Sequence, residues 1–146
     1  MSTGYLETDL RVQSKAVRIT FDGGSLGNPG KGYGSYLIEG LSPEPVVVRL
    51  EFSPNGEVVT NNQAEYRTLI AALTSLAEHP SLDPKEIDLE ICGDSKLVLE
   101  QVAGRWKVKH PDLKPLREAA AALVKQFHAC SLKWHRRNVS VDVLGH

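Results

Sequence analysis

The sequence predicts an α/β protein with a mixed five-stranded sheet flanked by helices. Three observations predict it. Three strand-like segments come first, joined by short connections with no helical pattern between them, which describes an antiparallel meander. Two more strand-like segments follow, each preceded by helical periodicity, so crossover connections can lay them parallel to the first strand. Acidic residues recur where these strands and the final helix converge, on the sheet edge where α/β folds build their sites.

Residues 17–21 (VRITF) alternate apolar and polar side chains and close on Asp22. A carboxylate ending a buried strand is costly unless it finds a partner or reaches water. Gly23, Gly24, Gly27, Gly30 and Gly32 follow, a spacing that permits tight turns and close approach of a ligand. Residues 33–39 (YGSYLIE) form the second strand, and 46–52 (VVVRLEF), rich in β-branched residues, the third. Residues 53–56 (SPNG) are a turn. Thr60, Asn61 and Asn62 supply helix-capping types ahead of an apolar stripe of Leu69, Ile70, Ala72, Leu73 and Leu76. Residues 87–93 (IDLEICG) are the fourth strand and close on Asp94. A short helix over 95–103 stops at Gly104, and a further helix lies within 111–127. Residues 130–135 are the fifth strand, and 140–146 begin a last, short helix.

At 146 residues with 41% apolar and 24% charged residues, the composition is that of one globular domain. We expect residues 1–15 to be a polar tail and 16–146 the single folded unit. No run of about 18 apolar residues predicts a membrane span, and the N-terminus lacks the pattern of a secretory signal. A net charge of −1 argues mildly against nucleic-acid binding, but the distribution matters more. Arg105, Lys107, Lys109, His110 and Lys114 crowd around Trp106, and Lys133, His135, Arg136 and Arg137 form a second group. Cys92 and Cys130 fall roughly 15 Å apart on neighbouring parallel strands, too far for a disulfide. Free thiols and a reducing, cytoplasmic setting are expected.

Asp22, Glu65, Asp94 and Asp142 form the candidate site. Each alone has an ordinary reading. Asp94 before Ser95 suits a helix cap, Asp142 a helix N-terminus, and Glu65 an exposed helix position. Together they would place four negative charges in one pocket, tolerable only with cations between them or raised pKa values. Oxygen-only ligands favour Mg²⁺ or Mn²⁺. Two such ions roughly 3.5–4 Å apart stabilise the attacking and leaving oxygens of a phosphoryl displacement.

Four segments then carry a family resemblance: FDGGSLGNPGKGYG (21–34), TNNQAEYRTLIAAL (60–73), CGDSKLVLEQVAGRW (92–106) and RRNVSVDVLG (136–145). In order and in their acids, they resemble type I ribonuclease H. The resemblance implies a ribonuclease H-like fold and endonucleolytic cleavage of the RNA strand of an RNA–DNA hybrid, leaving 5′-phosphate and 3′-hydroxyl ends. It implies that Asp22, Glu65, Asp94 and Asp142 hold two Mg²⁺ ions, with Mn²⁺ able to substitute. It places Gly23, Asn28, Asn61, Asn62, Gln63 and Ser95 against the hybrid and Thr60 at a DNA-strand phosphate. Trp106 either stacks on a sugar of the DNA strand or belongs to the core. Many members carry a mobile histidine before the last acid. His135, with Arg136 and Arg137 beside it, is the candidate for that auxiliary role, or else simply ends strand five.

The chain departs from the family in places. Residues 104–111 pass almost directly from one helix to the next where some members carry a long basic protrusion. A separate hybrid-binding domain ahead of the catalytic segments is not expected, and a short last helix would weaken the support behind Asp142. A monomer without an obligate protein partner is expected. The alternatives are a hybrid-binding module that does not cut, and a DNA-cutting nuclease sharing the same sheet.

Overall fold

Alternation along the first strand sets the architecture. Val17, Ile19 and Phe21 are buried, and Arg18 points the other way and is exposed. The computed structural model describes residues 14–145. The elements are β1 (Lys15–Leu26), β2 (Lys31–Glu39), β3 (Val48–Glu51), α1 (Asn61–Ala77), β4 (Ile87–Gly93), α2 (Lys96–Val102), α3 (Lys114–Val124), β5 (Ala129–Trp134) and α4 (Arg137–Leu144). The strands form one sheet in the order β3-β2-β1-β4-β5. β1 pairs antiparallel with β2 and β2 with β3, whereas β1–β4 and β4–β5 are parallel. The mixed five-stranded sheet expected from the sequence is therefore the one observed.

α1 supplies the largest contribution to the core. Tyr66, Leu69, Ala72 and Leu73 are fully buried against Ile19, Phe21 and Ile91 from the sheet and Val98 from α2. The Tyr66 hydroxyl donates to Gln101 Oε1 at 2.7 Å, so the one polar atom this aromatic brings inside is satisfied. α3 packs on α1, and α4 packs against β1 and β2. Among the described residues, no helix is long and apolar enough to cross a membrane.

Two boundaries differ from the sequence reading, with consequences for the site. β1 does not end at Asp22. Its parallel ladder with β4 stops at Phe21–Gly93, but its antiparallel ladder with β2 runs on through Asp22–Ser35 and Gly23–Gly34 to Leu26–Lys31. The glycines continue a strand because β2 supplies hydrogen-bonding partners that no local propensity reveals. Asp22 is thus the first residue beyond the parallel pairing, within a continuous strand. The expected tail falls outside the described residues except for Ser14 and Lys15, and Lys15 already pairs with Ile87 as part of β1.

The second difference concerns α4, which begins at Arg137, so Asp142 is its sixth residue and does not stand at its N-terminus. The helix also ends cleanly. Leu144 is fully buried, Gly145 takes the left-handed conformation (φ 76°), and its N–H donates to the Val141 carbonyl at 2.8 Å. Arg49 Nη2 donates to the Leu144 carbonyl at 3.1 Å, tying this end to β3. These contacts anchor the C-terminal end of the short last helix.

Cys92 and Cys130 are free thiols, with Cys92 paired to Lys133 and Cys130 to Leu89 in adjacent parallel strands. Their three-residue stagger puts them roughly 11 Å apart, nearer than the sequence estimate but still too far for a disulfide.

Candidate functional site

Gly23 and Gly34 face each other across β1 and β2. A Cβ on Gly23 would lie 2.7 Å from the Ala64 carbonyl oxygen and 2.9 Å from the Glu65 nitrogen, and one on Gly34 would overlap the Thr68 hydroxyl. The glycine pair therefore lets the backbone of α1 settle on the sheet. That contact brings Glu65 beside Asp22. These two glycines serve internal packing; the sequence reading had given the glycine stretch to a ligand.

Asp22, Glu65 and Asp94 each offer a carboxylate oxygen, and the three lie within 4.8 Å of one another. Glu65 is 8% exposed. Its Oε2 and Asp94 Oδ2 are buried with no hydrogen-bond partner. Burial, reinforced by the charges of Asp22 and Asp94, pushes the Glu65 carboxyl up to about 9, against the opposing pull of the Gly23 N–H and the Arg137 guanidinium. Orphaned carboxylate oxygens converging without nitrogen or sulfur ligands fit a hard divalent cation. The ordinary reading of Glu65 as an exposed helix residue is excluded.

Asp94 is not the cap of α2. Ser95 is, its hydroxyl accepting from the Val98 N–H at 3.3 Å. The Asp94 backbone is instead held by Trp134, whose indole N–H donates to its carbonyl at 3.0 Å. Sequence reasoning missed Trp134. The available signal was its place on strand five next to His135, on the same sheet edge as the acids. Lys96 Nζ stands 5.6 Å from the Trp134 ring. Asp142, exposed on α4, stays outside the three-carboxylate group.

The residues expected to touch nucleic acid separate into two sets. Asn28, Thr60, Asn61, Asn62 and Gln63 line one cavity of about 380 Å³, together with His110, Asp112 and Leu113. Several of their atoms are already engaged. Thr60 caps α1, its Oγ1 accepting from the Gln63 N–H at 3.1 Å, and Gln63 Oε1 accepts from the Thr60 N–H at 2.8 Å, a complete capping box. Asn28 Oδ1 accepts from the Asn61 N–H at 3.0 Å, and Asn61 Oδ1 accepts from the Ser25 N–H at 2.8 Å. The loop after β1 is thereby fastened to the start of α1, while the amide nitrogens of both asparagines remain as donors. Trp106 lies elsewhere, 45% exposed and so not a core residue. It lines a second groove of about 360 Å³ with Lys107, Lys114 and Arg117.

His135 follows β5 directly. Its N–H donates to the Gly93 carbonyl at 2.9 Å and its Nε2 shares a 2.7 Å hydrogen bond with the hydroxyl of Ser140, a second residue missed from sequence. Burial holds the imidazole below its usual range, with the Asp94 charge opposing. Arg136 occupies the N-cap position of α4 without making a capping hydrogen bond, and Arg137 is its first helical residue.

Comparison with known proteins agrees with this geometry. A family model described as reverse transcriptase-like matches residues 48–143. The chain is 41% identical over 131 residues to the bifunctional protein Rv2228c of Mycobacterium tuberculosis, covering 88% of this chain and 34% of that protein. It therefore spans about a third of the length of that relative. The crystal structure of RNase H1 from the halophilic archaeon Halobacterium salinarum superposes with a TM-score of 0.74 at 34% identity, covering 88% of this chain and 93% of that one. LC11-RNase H1, crystallised in complex with an RNA/DNA hybrid, superposes with a TM-score of 0.73 at 26% identity, over 86% and 89% of the two chains. The sheet order, the acids of β1, α1 and β4, and these matches lead to one assignment: the chain belongs to the type I ribonuclease H family.

Proposed function

We propose that this chain hydrolyses the RNA strand of RNA–DNA hybrids, leaving 5′-phosphate and 3′-hydroxyl ends. The observation that carries the reading is the convergence of Asp22, Glu65 and Asp94 within 4.8 Å, with two of their oxygens buried and unpartnered, in a member of this family. Asp22, Glu65 and Asp94 would hold two divalent cations, Mg²⁺ or Mn²⁺ in its place, with Asp142 the fourth carboxylate from α4. The ions, when bound, supply the positive charge that stabilises the attacking and leaving oxygens of the displacement.

The protein's own residues bind and orient. The cavity formed by Asn28 and the first turn of α1 presents side-chain amides suited to sugar edges and 2′-hydroxyls, which distinguish RNA from DNA without reading sequence. Thr60 is assigned to a phosphate of the DNA strand, and Ser95 and the backbone at Gly23 to contact with the hybrid. Trp106, with Lys107, Lys114 and Arg117, offers an aromatic face among cations for a nucleic-acid backbone. The positive charge of Arg137 opposes the rise of the Glu65 carboxyl.

The test is a substrate panel. Labelled RNA–DNA hybrid, double-stranded RNA and double-stranded DNA are incubated with the protein and Mg²⁺ or Mn²⁺. Cleavage confined to the RNA strand of the hybrid is expected. Binding without cutting would leave a hybrid-binding module, and cleavage of duplex DNA would point to a different nuclease on the same sheet.

A further inference from the structure

The exit of β5 links the end of β4 to α4. Trp134 and His135 are pinned to the end of β4, the indole to the Asp94 carbonyl at 3.0 Å and the His135 N–H to the Gly93 carbonyl at 2.9 Å. The His135 ring then reaches α4, where Nε2 and Ser140 Oγ share a 2.7 Å hydrogen bond. Ser140 is fully buried, so without this partner its hydroxyl would be desolvated and unpaired. Two residues, His135 and Arg136, separate β5 from α4, and Arg136 at its N-cap position makes no capping hydrogen bond. The histidine–serine contact stands in for the anchor that a capping side chain ordinarily gives a helix start. Asp142 lies two residues past Ser140 and is itself exposed, so its position is set by where α4 sits.

We propose that His135 is a positioning residue: held to Gly93 by its backbone and to Ser140 by its ring, it fixes the placement of Asp142 relative to Asp94. This differs from the mobile auxiliary role that the family resemblance implies for a histidine before the last acid. It rests on the reading of Asp142 as the fourth carboxylate ligand.

The test is calorimetric titration of Mn²⁺ into the full chain without substrate, for His135→Ala, Ser140→Ala, the double variant, His135→Gln and Asp142→Asn. Residues that orient ligands from behind typically change metal affinity by about tenfold or more. Each alanine variant is therefore expected to weaken Mn²⁺ binding by about tenfold, and the double variant by no more than either single. Gln places an amide nitrogen near the position of Nε2, so His135→Gln is expected to recover most of the affinity. The KM for hybrid at saturating metal should stay within about twofold of the parent, because the hydrogen bond does not face the hybrid cavity. Unchanged Mn²⁺ binding in Ser140→Ala, or additive losses in the double variant, would overturn the proposal. Should His135→Ala fail to fold, Ser140→Ala, which removes a single oxygen atom, decides the matter together with His135→Gln. Asp142→Asn separates the ligand role of Asp142 from the positioning role of His135. If it leaves Mn²⁺ binding unchanged, the ligand reading fails; if it weakens binding while Ser140→Ala does not, only the positioning role fails.

Discussion

Gly23 lies so close to Ala64 that a Cβ on it would stand 2.7 Å from the Ala64 carbonyl oxygen. The obstruction is backbone on both sides, so no side-chain rotation relieves it. α1 would have to lift from the sheet, and Glu65, the next residue, would lift with it. Gly23→Ala is accordingly expected to destabilise the fold by about 1–3 kcal/mol, as overpacking does. It should also lower hybrid cleavage beyond what the loss of folded protein explains. Thermal melting alongside cleavage at a temperature where the variant is fully folded checks both. An alanine that is neutral in melting and activity would show that α1 does not need this contact.

Glu65 makes the metal-free protein sensitive to pH. Its carboxyl is raised from 4.5 to about 9 in the folded state. The folded protein therefore holds this proton more tightly than the unfolded chain. The stabilisation this confers is fully present below about 4.5 and is lost as pH rises toward 9. The melting temperature of the chelated protein should fall across that window, and Glu65→Gln should flatten the decline. Added Mg²⁺ should raise the melting temperature more at pH 9 than at pH 6, because at the lower pH the cation must displace a proton. A pH-independent difference between parent and Glu65→Gln would contradict this assignment.

Local chemistry was legible in the sequence wherever it was also local in space. Thr60, Asn61 and Asn62 offer capping types in three consecutive residues, and α1 starts directly after Thr60. β4 was legible to the residue because its apolar alternation and the following Asp94–Ser95 bound it at both ends. The continuation of β1 was not legible. Gly23 and Gly24 have poor strand propensity, and their pairing with Gly34 and Tyr33 is visible only once β2 is in place. The start of α4 was missed for a similar reason. Asn138 and Val139 are weak helix formers, and Ser140 and Leu144, the residues that bury the helix, give a stripe too short to show periodicity. A pocket of four acids was expected from two strand ends and two helices, and three of them converge while Asp142 stays outside; the role of the glycines beneath depends on a helix that passes over them.

Glu90 predicts a distinct acid response on the open face of the sheet. It accepts from Arg18 Nε at 2.7 Å and sits 2.9 Å from Lys133 Nζ, linking β1, β4 and β5. Hydrogen bonds from Lys133 and Arg18 hold its carboxyl down at about 2. A lowered carboxyl contributes stability above its unfolded value of 4.5, and this is lost as pH falls through about 2. Both partners are more than half exposed, so the contribution is about 1 kcal/mol at neutral pH. Chemical denaturation of Glu90→Gln at pH 7 should show that loss, and the difference from the parent should vanish near pH 2. A loss that persists at low pH would assign the effect to packing instead of charge.

If Asp22, Glu65 and Asp94 form a cation site that serves hybrid cleavage, Asp22→Asn disables it. A catalytic ion supplies several kcal/mol of transition-state stabilisation, so cleavage of the RNA strand should fall by about a hundredfold or more. The melting temperature of the chelated variant should hold or rise, since neutralising one acid relieves the repulsion among the three. Cleavage of hybrid by the parent, lost in Asp22→Asn with folding intact, is expected. Hybrid cleavage retained at parental rate in Asp22→Asn, or absent from a parent protein that still binds hybrid and Mg²⁺, would contradict it.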